Sequence, residues 1–137
     1  MALIVRMPID VATNASHRSD SFRHRVIVVL LMLSGGIMQV MRRPDAVEGI
    51  VRLGYPAYFV VVLGAWKILG SVALLAPKMP LVKEWAYAGF FFDLTGAAIS
   101  HAVMSSAIGN VIGPLVFAGL AIASWALRPD SRRLEPR

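Results

Sequence analysis

The chain has 137 residues, of which 57% are hydrophobic and only 16% charged, whereas soluble domains average roughly 45–50% and 25%, so the composition is typical of a membrane protein. The net charge of +6 does not indicate a nucleic-acid partner, because the lysines and arginines lie mostly beside the ends of apolar runs and no nucleic-acid-binding module accompanies them. Cysteine is absent, which excludes disulfides, a thiol nucleophile and a cysteine metal site.

Four apolar runs predict an all-α, integral membrane four-helix bundle that occupies residues 22–128. The predicted spans are residues 26–41, 57–76, 85–104 and 108–127. A helix needs about 20 residues to cross a bilayer, with 17–25 the usual range, and the last three runs have 20 each. The first has 16, so its flanking arginines are expected to extend to the interface. A cleaved signal peptide is the alternative for this run, but no small-residue cleavage site follows it.

The segments outside the spans are short and polar. Residues 1–21 show no periodicity and are expected to be a loosely ordered tail, and residues 129–137 form a second tail. Between the first two spans, "AVEGIVRL" predicts a short interfacial helix. "GNVIG", from Gly109 to Gly113, has the GxxxG spacing that lets helices approach closely. We expect it to pack within the bundle, or alternatively between two copies of the chain.

The distribution of basic residues predicts that both termini are cytoplasmic, in a bacterial-type inner membrane. With four spans, the termini and the second connection share one side of the membrane, and cytoplasmic segments carry an excess of lysine and arginine. That side has ten of these residues and the other side three; the ten are Arg6, Arg18, Arg23, Arg25, Lys78, Lys83, Arg128, Arg132, Arg133 and Arg137, and the three are Arg42, Arg43 and Arg52. Interfacial aromatic belts are predicted at Trp85 and Tyr87 on one side and at Tyr55 and Tyr58 on the other.

Lys67 and Asp93 are the charges deep inside the predicted spans, and their positions predict an ion pair. Lys67 precedes Pro80 by 13 residues and Asp93 follows it by 13, so an antiparallel hairpin puts both at one depth. Small residues lie within about 60° of each charge on its helix: Gly64, Gly70 and Ser71 beside Lys67, and Gly89, Gly96, Ala97 and Ser100 beside Asp93. These two faces are expected to pack together. The pair is either a structural ion pair or a ligand anchor or proton relay.

Further polar residues are expected to form the mouth of a site above this pair. His101 lies eight residues beyond Asp93, and Gln39, Tyr58 and Asn110 are predicted at a similar depth. Together with Ser100, they are candidates for ligand binding or proton relay. The alternative for His101 is a hydrogen bond to a neighbouring backbone. No metal site is expected, because a single histidine does not supply a ligand set.

The segments "SGGIMQV", "RLGYPAYFVVVLGAWKILGSVALLAP" and "VKEWAYAGFFFDLTGAAISH" resemble the DoxX-like family of small four-helix membrane proteins. Gln39 lies where family members frequently have lysine. The resemblance implies a membrane subunit of the kind found in a thiosulfate:quinone oxidoreductase, or an assembly factor similar to those of receptor channels in animals. No haem-ligand pair or phosphate-binding loop is present in the sequence, so the protein is not expected to be catalytic by itself.

Two classes of function therefore follow from the sequence. The first is a membrane subunit or accessory factor of a redox complex that binds a quinone-like apolar ligand or a partner oxidoreductase. The second is a non-catalytic scaffold or assembly factor that acts through helix packing, as a homo-oligomer or with another protein. A small proton-coupled carrier is a weaker alternative. The sequence establishes no cofactor, and a quinone is the candidate.

Overall fold

The structure, a computed structural model, describes residues 7–104 and 106–127, and within these ranges it contains five helices and no strands. The helices are α1 (Met7–Val40), α2 (Pro44–Arg52), α3 (Phe59–Leu75), α4 (Pro80–Val103) and α5 (Ile108–Ala126). Proline begins α2 and α4, where its missing N–H leaves no intrahelical bond unmade.

The four long helices pack in a ring, in which α1 contacts α3, α3 contacts α4, α4 contacts α5 and α5 contacts α1. The most extensive pairs are α1 with α3 and α4 with α5. The short helix α2 lies against α1 and α3 at one end of the ring, which we call the α2 end. The opposite end holds the connection between α3 and α4, residues 76–79, and we call it the turn end.

The apolar core lies toward the turn end of the ring. It is a cluster of Val28, Val29, Met32, Leu74, Ala86, Tyr87, Phe90, Leu94 and Ala118. Tyr87 belongs to this core and not to an interfacial belt, because its hydroxyl lies 2.8 Å from the Oγ of buried Ser124 and so has a polar partner inside the protein. Open space between the helices remains at the α2 end and along the α3–α4 seam.

Much of the protein surface is formed by large apolar side chains. Among the described residues, more large apolar side chains are exposed than buried, and they include Trp66, Trp85 and Phe92. Two helical segments, Ser19–Val40 and Ile108–Ala126, are long and apolar enough to cross a membrane, and Phe59–Leu75 is a shorter apolar helix of 17 residues. An exposed apolar surface of this extent marks contact with a membrane or another protein.

Helix α1 begins well before the first apolar run. It starts at Met7, within the stretch expected to be loosely ordered, and its membrane-compatible part has 22 residues where the sequence pattern gave 16. Extending an existing helix is favourable because each added residue gains a hydrogen bond without a new nucleation cost. The short helix expected in "AVEGIVRL" is confirmed as part of α2.

Candidate ligand-binding site at the α2 end

The site begins with a close crossing of α1 and α3 at two glycines. A Cβ placed on Gly36 would lie 2.9 Å from the carbonyl oxygen of Gly64, and a Cβ on Gly64 would lie 2.7 Å from that of Gly36. A Cβ on Gly64 would also lie 2.9 Å from the Cβ of Gln39. Because only glycine lets the two backbones approach so closely, this crossing holds Gln39 against the helix that carries Lys67.

The predicted ion pair between α3 and α4 is present. Lys67 Nζ lies 3.3 Å from Asp93 Oδ2, and each side chain is 17% exposed. The flanking small residues do not all pack as the sequence predicted. Gly64 packs on α1, not on α4, whereas Gly70 does face α4, because a Cβ there would lie 2.6 Å from a ring carbon of Phe90.

The glycines of α4 leave open space beside Asp93. A Cβ on Gly89 or on Gly96 would meet no atom within 4 Å. The two small-residue faces therefore do not form the close contact that was expected, and two cavities lie along the seam instead.

A cavity of about 370 Å³ lies at the α2 end, between α1, α2, α3 and α4. Five of the candidate residues line it together: Gln39, Lys67, Asp93, Ser100 and His101. Helix α2 contributes the surface formed by Asp45, Ala46, Gly49 and Ile50. The volume is within the roughly 300–1,000 Å³ of small-molecule sites. The structure thus brings residues from four helices to one concave surface.

Gln39 supplies an unusual polar group to this cavity. Its Oε1 is buried, and no described residue donates a hydrogen bond to it. A buried acceptor without a donor costs roughly 1–3 kcal/mol, so such atoms are rare in folded proteins. The Gln39 side chain lines the cavity, and its amide must turn toward that space before a molecule there can donate a hydrogen bond to Oε1 and remove this cost.

Hydroxyl and imidazole groups complete the rim of the cavity. The Tyr55 hydroxyl lies 3.0 Å from Ser100 Oγ and joins the segment before α3 to the end of α4. Tyr55 also stacks on Phe59, with ring centroids 5.2 Å apart. His101 Nδ1 lies 3.2 Å from Ser106 Oγ in the connection after α4, so its partner is a side chain and not the backbone that the alternative interpretation expected.

Two residues predicted at this mouth lie outside it. Tyr58 is 67% exposed and does not line the cavity, and Asn110 is exposed in the first turn of α5. Tyr55 takes the place expected for Tyr58. The prediction failed because residues 55–58, which include Pro56, are not helical. Helical spacing from α3 therefore does not predict which of these residues faces the cavity.

A second cavity, of about 550 Å³, lies in the seam between α3 and α4 on the other side of the ion pair. Its lining is mostly apolar and includes Trp66, Gly70, Trp85 and Gly89. Leu63, Lys67 and Asp93 line both cavities. The ion pair therefore lies in the wall that the two cavities share.

Comparison with known proteins identifies the family. A model of the DoxX-like family matches residues 24–124, which include α2, α3, α4 and every residue of the ion pair and cavity described above. The chain belongs to the DoxX-like family. "Uncharacterized protein YdgD" of Bacillus subtilis (strain 168) is 34% identical over 94 residues, which cover 67% of this chain and 80% of the relative. No solved structure matches the chain.

The cavity of this DoxX-like protein also has lining residues that the sequence analysis did not select as candidates. Tyr55 was placed in an interfacial belt, and Asp45, Gly49 and Phe59 were not considered. The sequence did indicate that α2 could contribute to the cavity, because α2 is amphipathic and its apolar face must pack against the neighbouring helices. Nothing in the sequence pattern indicates the stacking of Tyr55 on Phe59.

The residues of this cavity supply charged and hydrogen-bonding groups from several helices. The described ranges contain no group of three or more histidine, aspartate or glutamate side chains placed to hold a metal ion. The cavity offers a cation at Lys67 and acceptors at Asp93 and Gln39, and hydroxyls lie at its rim. This set is suited to a small molecule that carries both hydrogen-bond donors and acceptors on an apolar frame.

Proposed function

We propose that this DoxX-like protein is a membrane subunit or accessory factor of a redox complex, and that it binds a quinone-like molecule in the cavity at the α2 end. It is a binding protein in this proposal, and electron transfer belongs to a partner oxidoreductase. The proposal extends the family assignment by using the donors, acceptors and apolar walls of this cavity.

The observation that carries the proposal is the buried Oε1 of Gln39. In its reduced form a quinone-like ring has hydroxyl groups that donate to Gln39 Oε1 or to the Asp93 carboxylate, and in its oxidised form it has carbonyls that accept from Lys67 Nζ. Gln39 reaches the cavity from α1, and the ion pair reaches it from α3 and α4. A ring with more than one oxygen can use both. When bound, such a molecule would supply two-electron redox chemistry to the complex.

In this proposal the protein spans the bacterial inner membrane four times, through α1, α3, α4 and α5, with both termini cytoplasmic. Helix α2 then lies at the outer interface over the cavity mouth. The orientation is supported by the ten-to-three distribution of lysine and arginine in the sequence. The exposed apolar side chains of the long helices are suited to lipid contact.

The test is ligand binding by purified protein in lipid nanodiscs. A labelled short-chain quinone and its quinol are titrated against wild type, Gln39→Leu and Asn110→Leu. Asn110 is the matched control because it is an exposed amide outside the cavity. We expect saturable binding to wild type and Asn110→Leu, and at least tenfold weaker quinol binding to Gln39→Leu. Failure of wild type to bind either form, or equal affinities for all three proteins, would contradict the proposal.

A second function, a scaffold that self-associates, is favoured by one observation on α5. Gly109 and Gly113 were expected to pack within the bundle, yet a Cβ on either would meet no atom within 4 Å. Their GxxxG spacing is therefore open for a second copy of the chain. Cross-linking in native membranes would show a dimer that Gly113→Ile removes and Gly119→Ile, on another face of α5, retains. A monomer in both variants and in wild type would exclude this scaffold.

A further inference from the structure

We propose that the groove between α3 and α4, the 550 Å³ cavity on the turn side of the ion pair, holds the apolar chain of the ligand whose polar head binds at the α2 end. This inference rests on the proposed function and deepens it by naming the ligand class. The ligand is a neutral amphiphile with a long hydrocarbon or prenyl chain. It lies across both cavities and passes Lys67 and Asp93.

The groove has the dimensions and lining that a hydrocarbon chain needs. It extends along α4 from Asp93 back to Val82, which is about 16 Å at the helical rise. Its two tryptophans, Trp66 and Trp85, are 68% and 74% exposed, so the groove is open along its side to the surroundings. Gly89 leaves its wall without a side chain. A chain can therefore enter sideways between the two helices.

The groove adjoins the polar cavity, and the two spaces share lining residues. Leu63, Lys67 and Asp93 line both spaces, so a molecule that binds in one lies against the other. The ion pair stays between two helices and does not fill the seam, because the α4 positions on either side of it, Gly89 and Gly96, carry no side chain. This adjacency favours one long ligand over two unrelated small ones, because a chain that passes beside the ion pair reaches from one space to the other.

The polarity of the groove fits a chain that descends from the α2 end better than it fits an ordinary phospholipid. In a phospholipid of either leaflet, the charged head lies at the bilayer surface and the chain ends point to the middle. The groove is the reverse, because its charged end is the Lys67–Asp93 pair in the middle of the helices, while its turn end is lined by Ala73 and Val82. A chain that descends from a head group at the α2 end has the matching polarity.

The experiment uses three glycine variants with open space at the Cβ position: Gly89→Leu in the groove, Gly96→Leu in the α2-end cavity and Gly119→Leu on α5 outside both. Each protein, in nanodiscs of one lipid composition, is titrated with two quinols that share a head group and carry one or four isoprenoid units. Affinities are expressed as the ratio of variant to wild type. Partition of the ligand into lipid is the same for every protein and therefore cancels in this ratio. Circular dichroism and size-exclusion profiles establish that the variants are folded.

We expect Gly89→Leu to weaken the long-chain quinol at least tenfold and to leave the short-chain quinol within twofold of wild type. Gly96→Leu should weaken both, and Gly119→Leu neither. If Gly89→Leu weakens neither quinol while Gly96→Leu weakens both, the groove inference is wrong and the proposed function stands. If wild type binds neither quinol, the proposed function itself fails. Loss of a co-purifying phospholipid from Gly89→Leu, with unchanged affinity for both quinols, would assign the groove to phospholipid and overturn the inference.

Discussion

Gly36 of α1 and Gly64 of α3 face each other so closely that a methyl group on either would overlap the backbone of the other. The distances from the added Cβ to the opposite carbonyl oxygen are 2.9 Å for Gly36 and 2.7 Å for Gly64. These values are shorter than the van der Waals contact of a carbon atom with oxygen, and the obstructing atoms are backbone. The crossing therefore fixes the separation of α1 and α3, and with it the position of Gln39 in the cavity.

This crossing predicts a sharp difference between two adjacent glycines. Gly36→Ala should destabilise the protein by about 1–3 kcal/mol, the usual cost of overpacking, and should also weaken ligand binding because Gln39 is displaced. Gly35→Ala is the control, since a Cβ there meets no atom within 4 Å, and alanine gains up to about 1 kcal/mol of helix propensity. Thermal unfolding in detergent measures both. Equal midpoints for the two variants would mean that α1 and α3 do not cross at this point.

The Lys67–Asp93 pair predicts a non-additive double-mutant cycle. Lys67→Met or Asp93→Leu alone leaves one charge without its partner, which costs about 3–5 kcal/mol in soluble proteins; snorkelling and water defects reduce this cost in a membrane. The double variant should recover much of the lost stability, because no unpaired charge remains. Thermal midpoints of the four proteins give the coupling free energy.

The same cycle separates the two interpretations of the pair. Losses that simply add in the double variant would show that the side chains do not interact. Recovery of stability together with recovery of quinol binding would make the pair structural. If stability returns and binding does not, the pair anchors the ligand.

The hydroxyl contact between Tyr55 and Ser100 predicts that two nearby tyrosines differ in importance. Tyr55→Phe removes a hydrogen bond that joins the segment before α3 to α4 at the cavity rim and should lower stability by about 0.5–1.5 kcal/mol. Tyr58→Phe changes an exposed side chain outside the cavity and should stay within about 0.5 kcal/mol of wild type. Chemical unfolding monitored by tryptophan fluorescence gives both values. A larger loss of stability for Tyr58→Phe than for Tyr55→Phe would mean that Tyr58, and not Tyr55, lies at the rim.

The proposed orientation predicts accessibility on the two sides of the membrane. Because the chain has no cysteine, single cysteines at exposed Ser16 in α1 and exposed Ala107 before α5 report without interference. In intact cells an impermeant thiol reagent should label Ala107→Cys and not Ser16→Cys, and permeabilised cells should show both. The reverse pattern would invert the topology, and labelling of both sites in intact cells would mean that the termini and this turn share the outer side.

The sequence by itself determined the helical class and the partnership of two charges. Apolar periodicity and length gave the long helices, because a chain with so few polar groups satisfies its backbone in lipid by intrahelical hydrogen bonds. Equal spacing from Pro80 gave the contact of Lys67 with Asp93, because depth along an antiparallel pair follows from residue count alone. Local pattern also gave α2, whose residues are amphipathic by themselves.

Only the tertiary structure decided which helix faces meet and where space remains. The sequence predicted that Gly64 would pack against α4, but it packs against α1. A glycine can contact any backbone that crosses it, and which helix crosses it depends on the packing of the whole ring. Tyr55 replaced Tyr58 at the rim because non-helical residues break the spacing before α3. The two cavities are products of the same packing, because the glycines of α4 leave the seam open beside the ion pair.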